Sequence, residues 1–447
     1  MKTVRIANGQ GFWGDSVDAP LNLIKYGNID YLTLDYLAEV TMSIMQRQKQ
    51  NNPKLGYATD FVELVENSAH LISRNKIKII ANAGGVNPNE CRKAIMKICS
   101  KKNINLKIAM VIGDDIYNDI DTLIENGQKF KNLDSDENVS SIVKNIYSAN
   151  VYIDSFSIAH ALELGADIVL CGRISDPGLV VAPCIYEFGW GKKEYDKLAS
   201  ATVAGHIIEC GAQCTGGNFS KWMDIKNLDN IGYPIASVRE DGYFEISKPE
   251  NTGGIINKYT ISEQILYELG NPRFYISPDV CVDFTSFNLK KIKKNVIAVE
   301  GVKGKAPTAT FKVSISYFSG YKASGQLTIS GPNAIEKAKK SADIIWNNLR
   351  RLGIQFDKTC TELLGFSSCH KSLAIKPTIV NEIILRIGVK SYNKMYVERF
   401  TKELAPLITS GPPGITGFSE GRPKVKEVIA YWPTLIDKNL IKTKAVI

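Results

Sequence analysis

Ala166-Asp167-Ile168-Val169-Leu170-Cys171-Gly172-Arg173-Ile174-Ser175-Asp176-Pro177 reads as a short buried strand that breaks into a glycine turn carrying an arginine and an acid. The same pattern recurs along the first half of the chain. Apolar runs at 4–8, 31–35, 78–82, 108–112 and 168–171 are rich in Ile, Val and Leu and do not alternate strictly with polar residues. Strands of that kind need both faces covered, which is the mark of a parallel sheet. Amphipathic helical stretches lie between them at 59–74, 89–101 and 154–164, the last closed by Gly165. The βαβα order predicts an α/β domain with a mostly parallel sheet, doubly wound or barrel-like.

Five glycine-rich or glycine-acid turns follow apolar runs: Gly9–Asp15, Ala83-Gly84-Gly85, Gly113-Asp114-Asp115, Gly172–Asp176 and Cys214-Thr215-Gly216-Gly217-Asn218. Ligands of α/β sheets sit beyond the carboxyl ends of the strands, so these turns outline one mouth for a small molecule.

Beyond about residue 230 the pattern changes. An Asp241-Gly242 turn predicts a hairpin, and runs at 310–317 and 322–330 around Ser319-Gly320 predict a second. The clearest helix of the chain follows, with Ile335, Ala338, Ala342, Ile345, Leu349 and Leu352 along one face, Asn333 as its cap, Glu336 at the capping-box position and Gly353 at its end. These signals predict an α+β C-terminal domain, with domains at 1–230 and 231–447. The polar stretch 126–145 reads as a surface loop.

Nine cysteines fall at irregular spacing, and Met-Lys-Thr-Val-Arg-Ile leads directly into the first predicted strand instead of resembling a signal peptide. Reduced thiols in a cytoplasmic protein are the expectation. No apolar run reaches the length of a membrane span. The net charge of +9 comes from lysines spread along the chain without interleaved aromatics, which argues against nucleic acid and suits a small anionic metabolite.

Candidate site residues cluster at the turns. Gly9-x-Gly11-x-x-Gly14 matches the letters of a dinucleotide loop, but Phe12 and Trp13 are bulky and Asp15 follows, so a tight turn or another ligand loop is the stronger reading. Asp35 and Glu39 stand four apart and would share a helix face, where they could hold a cation, divide acid and base roles or serve as helix-start acids. Arg173 can grip a carboxylate bidentately while Asp176 orients it or acts as a base; the structural alternative is an Arg–Asp pair that closes the loop. His206, Glu209 and Cys210 would share a helix face, giving a base with its orienter, a nucleophile with a base, or a satisfied core histidine. The spacing of His206, Cys210 and Cys214 does not make a structural zinc site. His206, Asp176 and Glu209 are therefore the expected catalytic groups. Arg173, Asp15, Asp35, Asn82, Gly216, Gly217 and Asn218 are the expected substrate contacts, with no metal ligands.

Taken in order, Gly9–Asp15, the stretch from Asp30 to Glu39, Asn82-Ala83-Gly84-Gly85, Gly172–Pro177, Cys214–Asn218 and Pro249-Glu250-Asn251-Thr252-Gly253-Gly254 resemble the acyclic terpene utilisation protein A family over nearly the whole chain. The resemblance implies a place in bacterial breakdown of citronellol- and geraniol-type acids, whose intermediates are handled as coenzyme A thioesters. The expectation is a catabolic enzyme acting on a small branched carboxylate or its thioester, with lyase or hydratase chemistry and coenzyme A as part of the substrate, and a homo-oligomer as its assembly. Two alternatives stand beside it: a non-catalytic subunit that binds an acyl ligand or a partner, and a metal-dependent hydrolase using Asp35, Glu39 and His206.

Overall fold

The computed structural model describes residues 1–38, 40–375, 377, 379–417 and 421–447. Eight strands come first: β1 (Thr3–Asn8), β2 (Tyr31–Leu34), β3 (Lys78–Ala81), β4 (Ile108–Ile112), β5 (Ile146–Val151), β6 (Ile168–Cys171), β7 (Ile235–Arg239) and β8 (Phe244–Ser247). All but β5 join a ten-stranded sheet. Its order is Asn288–Lys293, Val296–Glu300, β8, β7, β1, β2, β3, β6, β4 and Lys444–Val446.

The centre of that sheet is parallel, as the unalternating apolar runs require. β1, β2, β3, β6 and β4 pair in parallel in that order, and every residue of β2 and of β6 is buried. Antiparallel strands flank this centre on both sides. Against the sheet, Leu32, Leu34, Phe61, Ile79, Ile95 and Ile168 form one apolar cluster with the helices Asp18–Tyr26, Thr59–Asn75 and Pro88–Lys101. Burying side chains of this size contributes about 1.5–3 kcal/mol each, which is what holds the helices in place.

Two compact units emerge, Met1–Ser316 with Tyr431–Ile447, and Tyr317–Ala430. This differs from the expected break at residue 230. The β7–β8 hairpin does turn at Asp241-Gly242 (φ +90° at Gly242), but β7 pairs with β1 from Thr3↔Arg239 to Ala7↔Ile235 and so extends the first sheet. A hairpin signal is local and carries no information about which sheet the hairpin joins.

The second expected hairpin is a single strand, Thr310–Ser330. Gly320 takes up a positive φ of +95° without reversing the chain, and Tyr321–Ser330 pairs with Glu382–Ser391 in place of 310–317. The amphipathic helix is present as Ala334–Arg351 and lays Ala338, Ala342, Ile345 and Leu349 onto that sheet's apolar face, so the second unit is α+β in character. Asn333, expected as its cap, adopts a left-handed backbone (φ +61°) and makes no capping bond. No helix is long and apolar enough to cross a membrane among the described residues.

Candidate functional site

Each parallel strand ends in a buried polar residue. β1 delivers Asn8, β2 is followed by Asp35, β3 by Asn82, β4 by Gly113 and Asp114, and β6 by Gly172 and Arg173, all of the polar ones nearly without solvent exposure. A polar group can be buried at little cost only if its hydrogen bonds are made, and here the strand ends make them to one another.

Asn82 links two strands. Its Nδ2 donates to Asp35 Oδ1 at 2.6 Å, and its Oδ1 accepts from the Tyr36 amide at 2.7 Å. Asp35 Oδ1 also accepts from the Leu37 amide, so the acid closes a turn. The expected helix face for Asp35 does not form, because the next helix starts at Thr41. Glu39, its expected partner, lies outside the described residues.

Arg173, expected as a substrate grip, is 1% exposed. Its guanidinium donates to the carbonyls of Ile174 and Leu37, the latter at 2.5 Å, pairs with Asp176, and stacks 4.5 Å from the centre of the Tyr152 ring. Most of its donors are used by protein, which is the loop-closing arrangement. Asp176 is more than one-third exposed, so of the two it is the group that faces solvent.

Asp114, which the sequence showed only as part of a turn, joins this cluster. Its Oδ2 accepts from the Arg173 amide at 2.7 Å and from Asn150 Nδ2 at 3.2 Å. Burial nevertheless pushes its carboxyl up to about 7. Gly172 is required beside it, since a Cβ there would collide with the Asp114 carboxylate.

His206 and Glu209 come together at the end of the helix Tyr195–Ile208, with the imidazole Nδ1 3.0 Å from Glu209 Oε1. The contact is close but poorly aligned, so it counts as an ion pair more than a directed hydrogen bond. His206 is 1% exposed, wedged against Tyr275 and Phe284, and its Nε2 lies 3.2 Å from the Ile265 carbonyl. Burial pulls its pKa down while Glu209 pulls it up, and the carboxylate prevails. Glu209 is pushed up by burial, opposed by His206 and reinforced by nearby Asp35. Its Oε2 has no hydrogen-bond partner among the described residues. Asn8, missed in the sequence, positions this corner by donating to the carbonyls of Ile208 and Glu209 at 2.9 and 2.8 Å. The signal was available: an amide at the last position of the first strand.

Other expected residues have partners of their own, although the Gly11–Asp15 loop packs directly against Glu209, Cys210 and Gly211. Asp15 is occupied within its own loop, accepting from the amides of Gly11 and Ser16 and from the Tyr233 hydroxyl. That self-closed geometry is the tight turn, with the Gly11 amide turned to Asp15. Gly216 (φ +109°) and Gly217 bond back to Gln213 and Ala212, while the Thr215 carbonyl accepts from Ile255, and Asn218 is exposed. These bonds tie the turn to its own preceding residues and to Ile255, just past the 249–254 loop. Cys210 is pushed up to about 12 by burial and so is protonated near neutrality. Among the described residues, no three His, Cys, Asp or Glu side chains are grouped so as to hold a metal ion.

A family model described as acyclic terpene utilisation family protein AtuA matches residues 4–447, and the chain belongs to that family. No curated protein matches it.

Proposed function

Starting from membership of that family, we propose that the protein is a catabolic enzyme of acyclic terpene breakdown, transferring protons on a small branched carboxylate or its coenzyme A thioester in a lyase or hydratase reaction. The observation that carries this reading is Glu209 Oε2, a buried carboxylate oxygen without a hydrogen-bond partner among the described residues, next to His206 Nδ1, which also lacks one. An unpaired buried acceptor costs about 1–3 kcal/mol, and a bound substrate proton would recover it.

Burial raises the Glu209 carboxyl above its ordinary value, with His206 pulling the other way. In a dehydration Glu209 would remove the proton from the carbon next to the carbonyl. That electron pair forms the new double bond as the bond to the leaving oxygen breaks, and Glu209, now protonated, returns that proton to the departing oxygen as water leaves. Hydration is the reverse. His206 does not touch the substrate in this scheme. It is a positioning residue that stabilises the charged form of Glu209 and fixes its orientation. Arg173 holds Asp176 and Asn82 holds Asp35, which fixes the neighbouring strand ends.

The test is turnover of branched 3-hydroxyacyl- and enoyl-coenzyme A thioesters by the purified chain. Glu209→Gln keeps the shape and is expected to lower kcat at least 100-fold with no loss of thermal stability. His206→Asn is expected to move the base limb of the kcat/KM profile to higher pH, since the group that favours ionised Glu209 is gone. Unchanged turnover in Glu209→Gln refutes the reading, and thioester binding with no turnover would make the protein a ligand-binding subunit.

A further inference from the structure

The charge of this chain is not evenly distributed in space. Residues 317–430 carry 17 Lys and Arg against nine Asp and Glu, a net +8, while the rest carry 38 against 37. One compact unit therefore holds nearly all of the +9.

Within that unit the strand register concentrates the charge further. Lys322 of the strand Thr310–Ser330 lies directly across from Lys390 of Glu382–Ser391, and Lys390 lies directly across from Lys358 of Lys358–Leu364. Three lysines thus form one row on one face of an antiparallel sheet, over two inter-strand spacings or about 10 Å. Like charges placed directly opposite are destabilising. The next row on that face is Ser324, Gly388 and Cys360, which leaves a hollow, and the one after it contains the matched ion pair Arg386–Glu362 at 2.6 Å. Beyond the hollow the cation has a carboxylate partner; before it none of the three lysines is in an ion pair among the described residues, and Lys390 Nζ donates to Ser319 Oγ at 2.7 Å.

Arg422, Lys424 and Lys426, all exposed, stand with them. Together these residues line a cleft of about 1230 Å³ in which no described lining residue is a carboxylate or an aromatic. Six cationic residues in one lining exceed what one carboxylate needs. The absence of aromatic platforms from the described lining is unlike a single-strand nucleic acid groove, where bases stack.

We infer that this cleft binds a small multiply charged phosphate compound, with the Lys322–Lys390–Lys358 row and Arg422, Lys424 and Lys426 holding its phosphate oxygens. The site is separate from the strand-end mouth and does not depend on the chemistry proposed there.

The test is calorimetric titration of the full chain with inorganic pyrophosphate and with ADP at 0.15 and 0.5 M salt. The expected result is one site per chain, weakened by salt, and weakened at least tenfold in Lys358→Gln and in Lys322→Gln. Both side chains are exposed and both substitutions relieve repulsion, so the thermal midpoint should not fall. Lys339→Gln, exposed on the helix Ala334–Arg351, is the control and should bind as the parent does. Tighter binding of ADP than pyrophosphate marks a nucleotide ligand, and equal binding marks the phosphate group alone. No binding of either probe at millimolar concentration, an equal loss in Lys339→Gln, or a single-stranded oligonucleotide that binds where ADP does not, overturns the inference.

Discussion

Asp114→Asn offers a direct measurement of how the strand ends carry charge. In the native chain burial holds the Asp114 carboxyl up to about 7, against an ordinary value of 3.8. The folded state therefore binds more protons than the unfolded state between those two values, and stability falls as pH rises through that window. Below 3.8 both states are protonated and the effect is absent; above 7 both are ionised and the whole penalty is present. At 1.36 kcal/mol for each pH unit of difference, the cost reaches at most about 4 kcal/mol. Asn keeps the shape and the acceptor for the Arg173 amide but has no charge to bury. Asp279, also buried and raised to about 7, titrates over the same range in both proteins and cancels in the comparison. Urea unfolding of parent and variant at half-unit steps from pH 4.5 to 8.5 is the assay. The parent should lose stability relative to Asp114→Asn as pH rises, by a few kcal/mol in total. Parallel curves would refute the assignment of a buried, proton-retaining carboxyl at this position.

Three further outcomes follow from the same contacts. Gly172→Ala should lower stability by about 1–3 kcal/mol, read as a fall in thermal midpoint, because its methyl group is forced against the Asp114 carboxylate. Asn82→Ala removes the donor to Asp35 and the acceptor for the Tyr36 amide together, and urea unfolding should show a loss of about 2–4 kcal/mol; a change under 0.5 kcal/mol would show that Asp35 and Tyr36 find other partners. Ile345→Ala, fully buried in the helix of the second unit, should cost about 2–5 kcal/mol, and thermal unfolding with hydrogen exchange should place that loss in residues 317–430.

What could be read from the sequence was whatever depends on a single segment. The parallel strands were legible because burial on both faces leaves Ile168–Cys171 with no polar side. The helix Ala334–Arg351 was legible because its apolar stripe runs five turns. The hairpin at Gly320 was misread because a glycine that permits a positive φ looks the same in a reversal as in a continuing strand. The partners of Arg173 were illegible for a related reason: a strand-end arginine beside an acid has the same sequence whether it faces a ligand or a carbonyl, and only the fold brings the Leu37 and Ile174 oxygens to it. The lysine row could not be seen at all. Lys322, Lys358 and Lys390 are far apart in sequence and become neighbours only through register.

The distinction between polar groups that shape the strand-end cluster and a group that acts there rests on which atoms the fold has already satisfied. Asp35 is met by Asn82 and Leu37, Asp114 by Arg173 and Asn150, and Asp15 by Gly11, Ser16 and Tyr233. Each of these acids has an identified structural occupation, and removing one leaves its donors stranded. Glu209 differs because one oxygen is held by His206 while the other is buried and unmet. Keeping such an atom dry lowers stability in the absence of ligand, so the arrangement makes sense where a bound group supplies the missing donor. On that argument ligand binding should raise the thermal midpoint of the parent more than that of Glu209→Ala, in which there is no waiting carboxylate to satisfy. An equal rise in both would mean that the ligand's donors meet other atoms.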